Sequence, residues 1–236
     1  MFIDTTKRTD REEIMDNFNL QGLELAIVLR DLKLVNAYLG GNKITINGIQ
    51  QLLYSLPEQK EITIVDIGCG DGQMLKRCIQ FARKNKLHFK GIGIDANAHT
   101  IENAKQQTNN YPEIRYEHLD VFSEAFKELK ADIILCTLTL HHFKDAEIER
   151  LVKLLSQQAQ VGVIINDLHR NALAYILFKA FSNVFFKSRI AKNDGLVSIL
   201  RGFKKMELKD FASRLQVKQQ TIRWKWAFRY QWIIYT

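Results

Sequence analysis

IVDIGCGDG, residues 64–72, is the stretch that decides the reading of this 236-residue chain. It runs as a short apolar strand into a glycine-rich turn and then into QMLKRCIQFARK, a helical pattern. A strand that ends in glycines and opens a helix is the setting a nucleotide-binding loop needs. Gly68 permits the tight turn, and Gly70 and Gly72 let the backbone approach a ligand with no Cβ between. A dinucleotide fingerprint, G-x-G-x-x-G, would need its third glycine where Gln73 stands. Asp66, two residues before the first glycine, sets a carboxylate beside the loop. That charge suits a cationic ligand better than a pyrophosphate. S-adenosylmethionine has no phosphate and carries an ammonium and a sulfonium, so D-x-G-x-G-x-G favours it.

Working outward, short apolar runs alternate with helical stretches. The pattern predicts strands at 62–67, 89–95, 114–119, 132–137 and 161–167, with helices at 72–85, 97–107, 123–129 and 145–157. This alternation argues for an α/β fold, a parallel sheet with helices on both faces. Before it, Thr9 and Glu12 fit a capping box for a helix over 10–18. An apolar stripe marks a helix within 20–39, stopped by Gly40 and Gly41. A short helix over 48–55 is expected, with Asn47 as N-cap and Pro57 beyond its end. These first 55 residues read as a helical cap with no chemistry of their own. After the fifth strand come an aromatic-rich helix at 172–186, a helix at 206–215 and closing strands at 219–223 and 228–235. Two further acids fall at strand ends. Asp95 closes GIGID, where a carboxylate can accept both ribose hydroxyls. Asp120 follows the third strand, where it can accept an adenine amino group while Val121 packs on the ring.

With DIGCGDG (66–72), GIGID (91–95), LDV (119–121) and DIILCTLTLHHF (132–143), the chain resembles the class I S-adenosylmethionine-dependent methyltransferases. The resemblance covers 62–167 well and the rest by position. It implies a Rossmann-like sheet of seven strands, mostly parallel, with one antiparallel strand near the C-terminus. It implies cofactor contacts from Asp66, Gly68, Cys69, Gly70, Gly72, Asp95, Ala96, Asp120 and Val121, and from Cys136, Thr137 and Leu138 at the fourth strand end. S-adenosylhomocysteine would be the product. The L-H-H-F after that strand resembles the ubiquinone/menaquinone C-methyltransferases and small-molecule O-methyltransferases. INDLHRNALAY (165–175) with NDGLVSI (193–199) resembles a bacterial branch associated with aromatic polyketide or pigment pathways.

Ligands of open α/β sheets bind outside the carboxyl ends of the strands. The fourth and fifth strand ends carry His141, His142, Asp167, His169 and Arg170. Methyl transfer to oxygen is an in-line displacement that often needs a proton removed, work suited to a histidine near neutral pH. His142 or His169 is the expected base, with His141 third. Asp167 would orient one of them, and Arg170 would hold an anionic substrate group. The helix at 172–186 takes the place of a lid, and Tyr175, Phe178, Phe181 and Phe185 suit an aromatic or acyl acceptor. The expectation is O-methylation of a small phenolic or polyketide-like compound. The alternatives are C-methylation of a quinone precursor, RNA methylation and a non-catalytic cofactor-binding module.

The net charge is +8, and it is uneven: residues 171–236 carry 13 Lys+Arg against 3 Asp+Glu. This basic third reads as a rim near the acceptor pocket, attractive to an anionic acceptor, an acyl carrier protein or an acidic membrane surface. The fourth strand end lacks N/D-P-P-Y and no RNA-binding appendage is recognisable, so nucleic acid is not expected. Three cysteines without a CxxC pair give no zinc or disulfide framework, and no acidic cluster beyond the cofactor set asks for a metal. No signal peptide or spanning apolar run is evident, and a cytoplasmic protein is expected. One domain is expected: a cap (1–55), a cofactor core (62–167), a lid (171–205) and closing elements (206–236).

Overall fold

The computed structural model describes residues 3–17, 20–38, 40–54, 56 and 61–236. Its centre is a seven-stranded sheet with strands β1 (Glu61–Ile67), β2 (His88–Asp95), β3 (Ile114–His118), β4 (Ala131–Thr137), β5 (Ala159–Leu168), β6 (Gln219–Lys225) and β7 (Arg229–Tyr235). The spatial order is β3-β2-β1-β4-β5-β7-β6, and β7 alone runs antiparallel to its neighbours. The sheet is therefore the mostly parallel one the sequence implied. The helices are α1 (Gly22–Tyr38), α2 (Gly41–Leu53), α3 (Gln73–Lys84), α4 (Ala98–Gln107), α5 (Glu124–Lys127), α6 (Asp145–Gln158), α7 (Ala172–Phe185), α8 (Arg189–Arg201) and α9 (Lys205–Ser213).

The central strands are buried on both faces, which is why they read as unbroken apolar runs. Val65, Ile67, Ile134, Cys136, Val163 and Trp232 face one core with Leu151 and Leu155 of α6 and Phe211 of α9. Ile62, Ile64, Ile133, Leu135 and Ile164 face a second core with Ile49 and Leu52 of α2 and Leu75 and Ile79 of α3. A third, smaller cluster joins Val28 and Val35 of α1 to Phe186 and Ala191, with Phe178 and Phe181 packed against it. It forms the cap.

The cap departs from the sequence pattern. The expected helix over 10–18 is a single 3-10 turn, Ile14–Asp16, and Phe18 lies outside the described residues. The backbone N–H groups of Ile14 and Met15 donate to the Asp194 carboxylate at 3.0 and 2.9 Å, so a partner from α8 fixes this turn. The helix expected at 48–55 begins seven residues earlier. Gly40, at φ 71°, breaks the chain just before it, and a buried stripe of Ile44, Thr45, Gly48, Ile49 and Leu52 continues through Asn47. Ser55 and Pro57 lie outside the described residues. Helix α8 carries no clear amphipathic signal, because its buried set includes Asp194 and Arg201 beside Ala191, Val197 and Ile199.

Candidate active site

The strand order reverses between β1 and β4, and a crevice at such a switch point is where open α/β sheets bind ligands. The loop after β1 enters it with Gly68, Gly70 and Gly72 at φ 63°, 54° and 76°, values that L side chains rarely adopt. The three differ in what surrounds them. A Cβ on Gly68 would lie 2.4 Å from Thr139 Oγ1, so this glycine lets the β1 and β4 loops touch. A Cβ on Gly72 would lie 2.0 Å from the Tyr116 hydroxyl. Around Gly70 nothing lies within 4 Å, so that backbone faces open space.

A cavity of about 1950 Å³ opens over the carboxyl ends of the strands. Single-ligand pockets measure about 300–1,000 Å³, so this one has room for two molecules. Its wall holds Asp66, Gly68, Cys69, Gly70, Asp95, Ala96, Asp120, Val121, Thr137 and Leu138, ten of the twelve residues expected at the cofactor. The other two stand behind it. Gly72 caps the N-terminus of α3 against β3, and Cys136 is fully buried in the sheet core, because alternate residues of a buried strand point to the helices.

The acids of this wall suit a cationic, ribose-bearing ligand. Asp66 is 2% exposed and its Oδ1 has no hydrogen-bond partner. Burial, with Asp95 nearby, pushes its carboxyl up to about 8. A buried carboxyl without a partner in the protein asks for a cation. Asp95 accepts the Gly70 N–H at 3.1 Å and the Asn97 N–H at 2.9 Å, which fixes its carboxylate at the cavity edge. Asp120 is exposed on the far wall, with the Phe122 N–H donating to it at 2.8 Å. Leu138 adopts φ 54°, a conformation costing roughly 1–2 kcal/mol for a residue with a Cβ. Such strain is characteristic of ligand sites.

Opposite the acids lies a histidine cluster. His141 is 2% exposed, and its Nδ1–H donates to Asp167 Oδ1 at 2.7 Å. Its Nε2 makes no hydrogen bond and faces Glu13 Oε1 at 3.5 Å. Burial disfavours the imidazolium, but Asp167 and Glu13 outweigh it and hold the pKa up at about 9. His142 stacks on His141 with ring centroids 4.3 Å apart, and its Nδ1–H donates to Asp16 Oδ1 at 2.7 Å. Burial works to raise the Asp16 carboxyl, and His142 and Arg201 bring it down to about 2. Glu13, His141 and His142 present donor atoms within 4.8 Å of one another, a spacing that could hold a cation. Carboxylates face both rings, Asp167 and Glu13 at His141 and Asp16 at His142.

Asp167 thus holds His141, the third of the histidines it was expected to serve, and neither His142 nor His169. His169 lines the cavity farther out, where its Nδ1 accepts the Trp224 indole N–H at 3.2 Å. That bond places the ring proton on Nε2 and leaves no free lone pair for a base. Arg170 does not reach the cavity. It is fully buried, donating to the carbonyls of Thr5, Thr6 and Gly202 and to Glu207, and it ties the N-terminal segment to α9. Phe178 and Phe181 line the cavity as expected. Tyr175 and Phe185 do not, since the helix turns Tyr175 aside and leaves Phe185 53% exposed.

Glu13 and Asp16 were missed in the sequence, where residues 1–55 read as a cap without chemistry. Arg8 carries their segment across the site by donating to the carbonyls of His141 and Phe143 at 3.0 and 2.9 Å. Arg201 donates to the His141 and His142 carbonyls and to Asp16. No local pattern announces such contacts.

Comparison with known proteins bears on the domain and the fold. Residues 64–162 match a family model described as a methyltransferase domain. Over 98 residues the chain is 28% identical to the ribosomal RNA large subunit methyltransferase G of Shewanella amazonensis, a match spanning 40% of this chain and 24% of that protein. The plantazolicin methyltransferase BpumL, solved with S-adenosylhomocysteine, superimposes with a TM-score of 0.63 at 15% identity, covering 90% of this chain and 94% of that one. The CurJ carbon methyltransferase does so with a TM-score of 0.62 at 14% identity, covering 82% of this chain and 53% of that one. Magnesium protoporphyrin IX methyltransferase from Synechocystis, also with S-adenosylhomocysteine, gives 0.51 at 15% identity, covering 83% and 81%. The match places a methyltransferase domain at residues 64–162, and the solved neighbours share the fold of the whole sheet.

Proposed function

We propose that the protein transfers a methyl group to a small, largely apolar acceptor through an acidic hydroxyl, phenolic or enolic, with His141 as general base. The observation that carries this reading is the buried His141–Asp167 pair, whose Nε2 makes no hydrogen bond and faces Glu13 at 3.5 Å, on the wall of a cavity that Phe178 and Phe181 also line. Asp66 would hold the ammonium of S-adenosylmethionine, Asp95 its ribose hydroxyls and Asp120 with Val121 its adenine. When bound, that molecule supplies an electrophilic methyl carbon attached to a sulfonium.

Asp167 fixes the proton of His141 on Nδ1 and stabilises the imidazolium formed during the reaction. The acceptor hydroxyl takes the place of the Glu13 carboxylate before Nε2. With Glu13 displaced, His141 loses one of the two charges that raise its pKa and becomes a base. The acceptor oxygen would give its proton to Nε2 and its electron pair to the methyl carbon that bound S-adenosylmethionine would supply, with S-adenosylhomocysteine as the leaving group. Phe178 and Phe181 exclude water and stack on a planar acceptor.

The test is turnover against a panel of phenols and cyclic enols, read as S-adenosylhomocysteine release, with the product site assigned by mass spectrometry and NMR. His141→Gln should lower kcat by about 10²–10⁴ while leaving cofactor affinity unchanged. Equal turnover in that variant and the wild type sinks the role of His141. Methyl groups found only on ring carbons would move the acceptor atom from oxygen to carbon.

A further inference from the structure

We propose that the outward face of α7, together with the tip of the β6–β7 hairpin, seats the protein on an anionic lipid bilayer, so that a lipid-soluble acceptor enters the cavity from the membrane. The route of entry rests on the cavity being an acceptor site; the seating itself does not.

Leu173, Ile176, Leu177 and Val184 are exposed by 53, 54, 47 and 75%. They fall at i, i+3, i+4 and i+11, with exposed Ala180 at i+7, and make one apolar stripe along the helix. The opposite side of α7, with Ala174, Phe178 and Ser182, packs into the protein, so the stripe is not the core face of the helix. At the hairpin tip Trp224 and Trp226 are exposed by 46 and 69%. Leu177 and Trp226 also belong to the cavity wall, so the two apolar features frame its mouth.

Exposed cations border this face: Lys179 on α7, and Lys187 and Arg189 just after it. Among the described residues none of the three is ion-paired. An aliphatic stripe, indole rings and a Lys/Arg border are what a helix lying in a bilayer interface presents. Among the described residues no helix is long and apolar enough to cross a membrane, so the contact is peripheral. The face itself selects this occupant over two others. A second copy of the chain would bring like charges together. An acidic carrier protein would answer the cations but set polar surface against the aliphatic stripe. Anionic lipid answers both.

Sedimentation with phosphatidylcholine vesicles, with and without 30% phosphatidylglycerol, tests the seating. The wild type should sediment with the anionic vesicles, and 0.5 M salt should weaken this strongly. Lys187→Ala and Arg189→Ala should each lower the partition about fivefold. Ile176→Glu with Val184→Glu should abolish it while cofactor binding by calorimetry stays at the wild-type value, which shows the variant folded. His141→Gln should sediment like the wild type, so failure of the catalytic reading and failure of the seating are told apart. No sedimentation of the wild type with anionic vesicles overturns the proposal. So does undiminished sedimentation of the double glutamate variant, a wild-type dimer that this variant dissolves, or binding to an acidic carrier protein without binding to vesicles.

Discussion

Replacing Asp66 by Asn should stabilise the ligand-free protein and weaken the cofactor, and both effects have a size set by one buried carboxyl. Asp66 is almost fully buried, one of its oxygens has no partner, and its carboxyl is held up at about 8. In the unfolded chain an aspartate titrates near 4. A carboxyl whose folded pKa is raised costs nothing below its unfolded value, and destabilises progressively as pH rises towards its folded value. The cost is about 1.4 kcal/mol for each pH unit between roughly 4 and 7, a few kcal/mol in all at neutral pH. Asn carries no such cost and nearly the same shape, so Asp66→Asn should raise the melting temperature of the free protein at pH 7 and leave it little changed at pH 4. A cofactor ammonium held by Asp66 would reverse the balance, because it would recruit the charged form. At pH 7 the free carboxyl is about nine-tenths protonated, so binding should release close to one proton. Affinity should then rise nearly tenfold per pH unit from pH 6 towards 7.5. Calorimetry in phosphate and in Tris separates the released proton from the binding heat, and Asp66→Asn should lose both the proton and the pH slope. Zero proton release with a pH-independent Kd between pH 6 and 7.5 would refute the reasoning, as would a variant less stable than the wild type.

Gly72→Ala should destabilise the fold by several kcal/mol, since its Cβ meets the Tyr116 hydroxyl at 2.0 Å. Gly70→Ala, with open space at its Cβ, should cost only the backbone strain of about 1 kcal/mol and express its effect in cofactor affinity; thermal melts and calorimetry on both variants check the contrast. Glu13→Gln removes one of the carboxylates that lift His141 to about 9, leaving Asp167, His142 and Arg201 around the ring. The imidazole then becomes free base at lower pH, so the acid limb of kcat/KM should move down; an unmoved limb removes Glu13 from the site. Arg170→Ala leaves Glu207 and the Gly202 carbonyl without their cation and should destabilise the protein by about 3–5 kcal/mol, with the cofactor Kd of the folded fraction unchanged.

The proposed cofactor half of the site was legible in the sequence because each of its residues stands at a strand end or within five residues of one. The run 64–72 supplies its own turn, and Asp95 and Asp120 are delivered by strands whose apolar pattern marks where they stop. Register along one strand fixes those positions locally, without knowledge of the rest of the chain. Even so, a strand alternates its faces, and alternation put Cys136 in the core while Thr137 and Leu138 reached the cavity.

The proposed catalytic half belonged to tertiary structure. Three histidines and one arginine near two strand ends gave several equivalent assignments in one dimension. Only the folded chain decides that Asp167 holds His141, that Trp224 occupies His169 and that Arg170 is a buried strut. His142 meets Asp16 across 126 positions of sequence. A bond of that separation has no local period to betray it, because it exists only once α8 and the arginines have carried the N-terminal segment over the sheet. The same holds for α7. Its composition announced an aromatic lid, but which of its sides packs and which meets the surroundings follows from the angle at which α1 and α8 receive it.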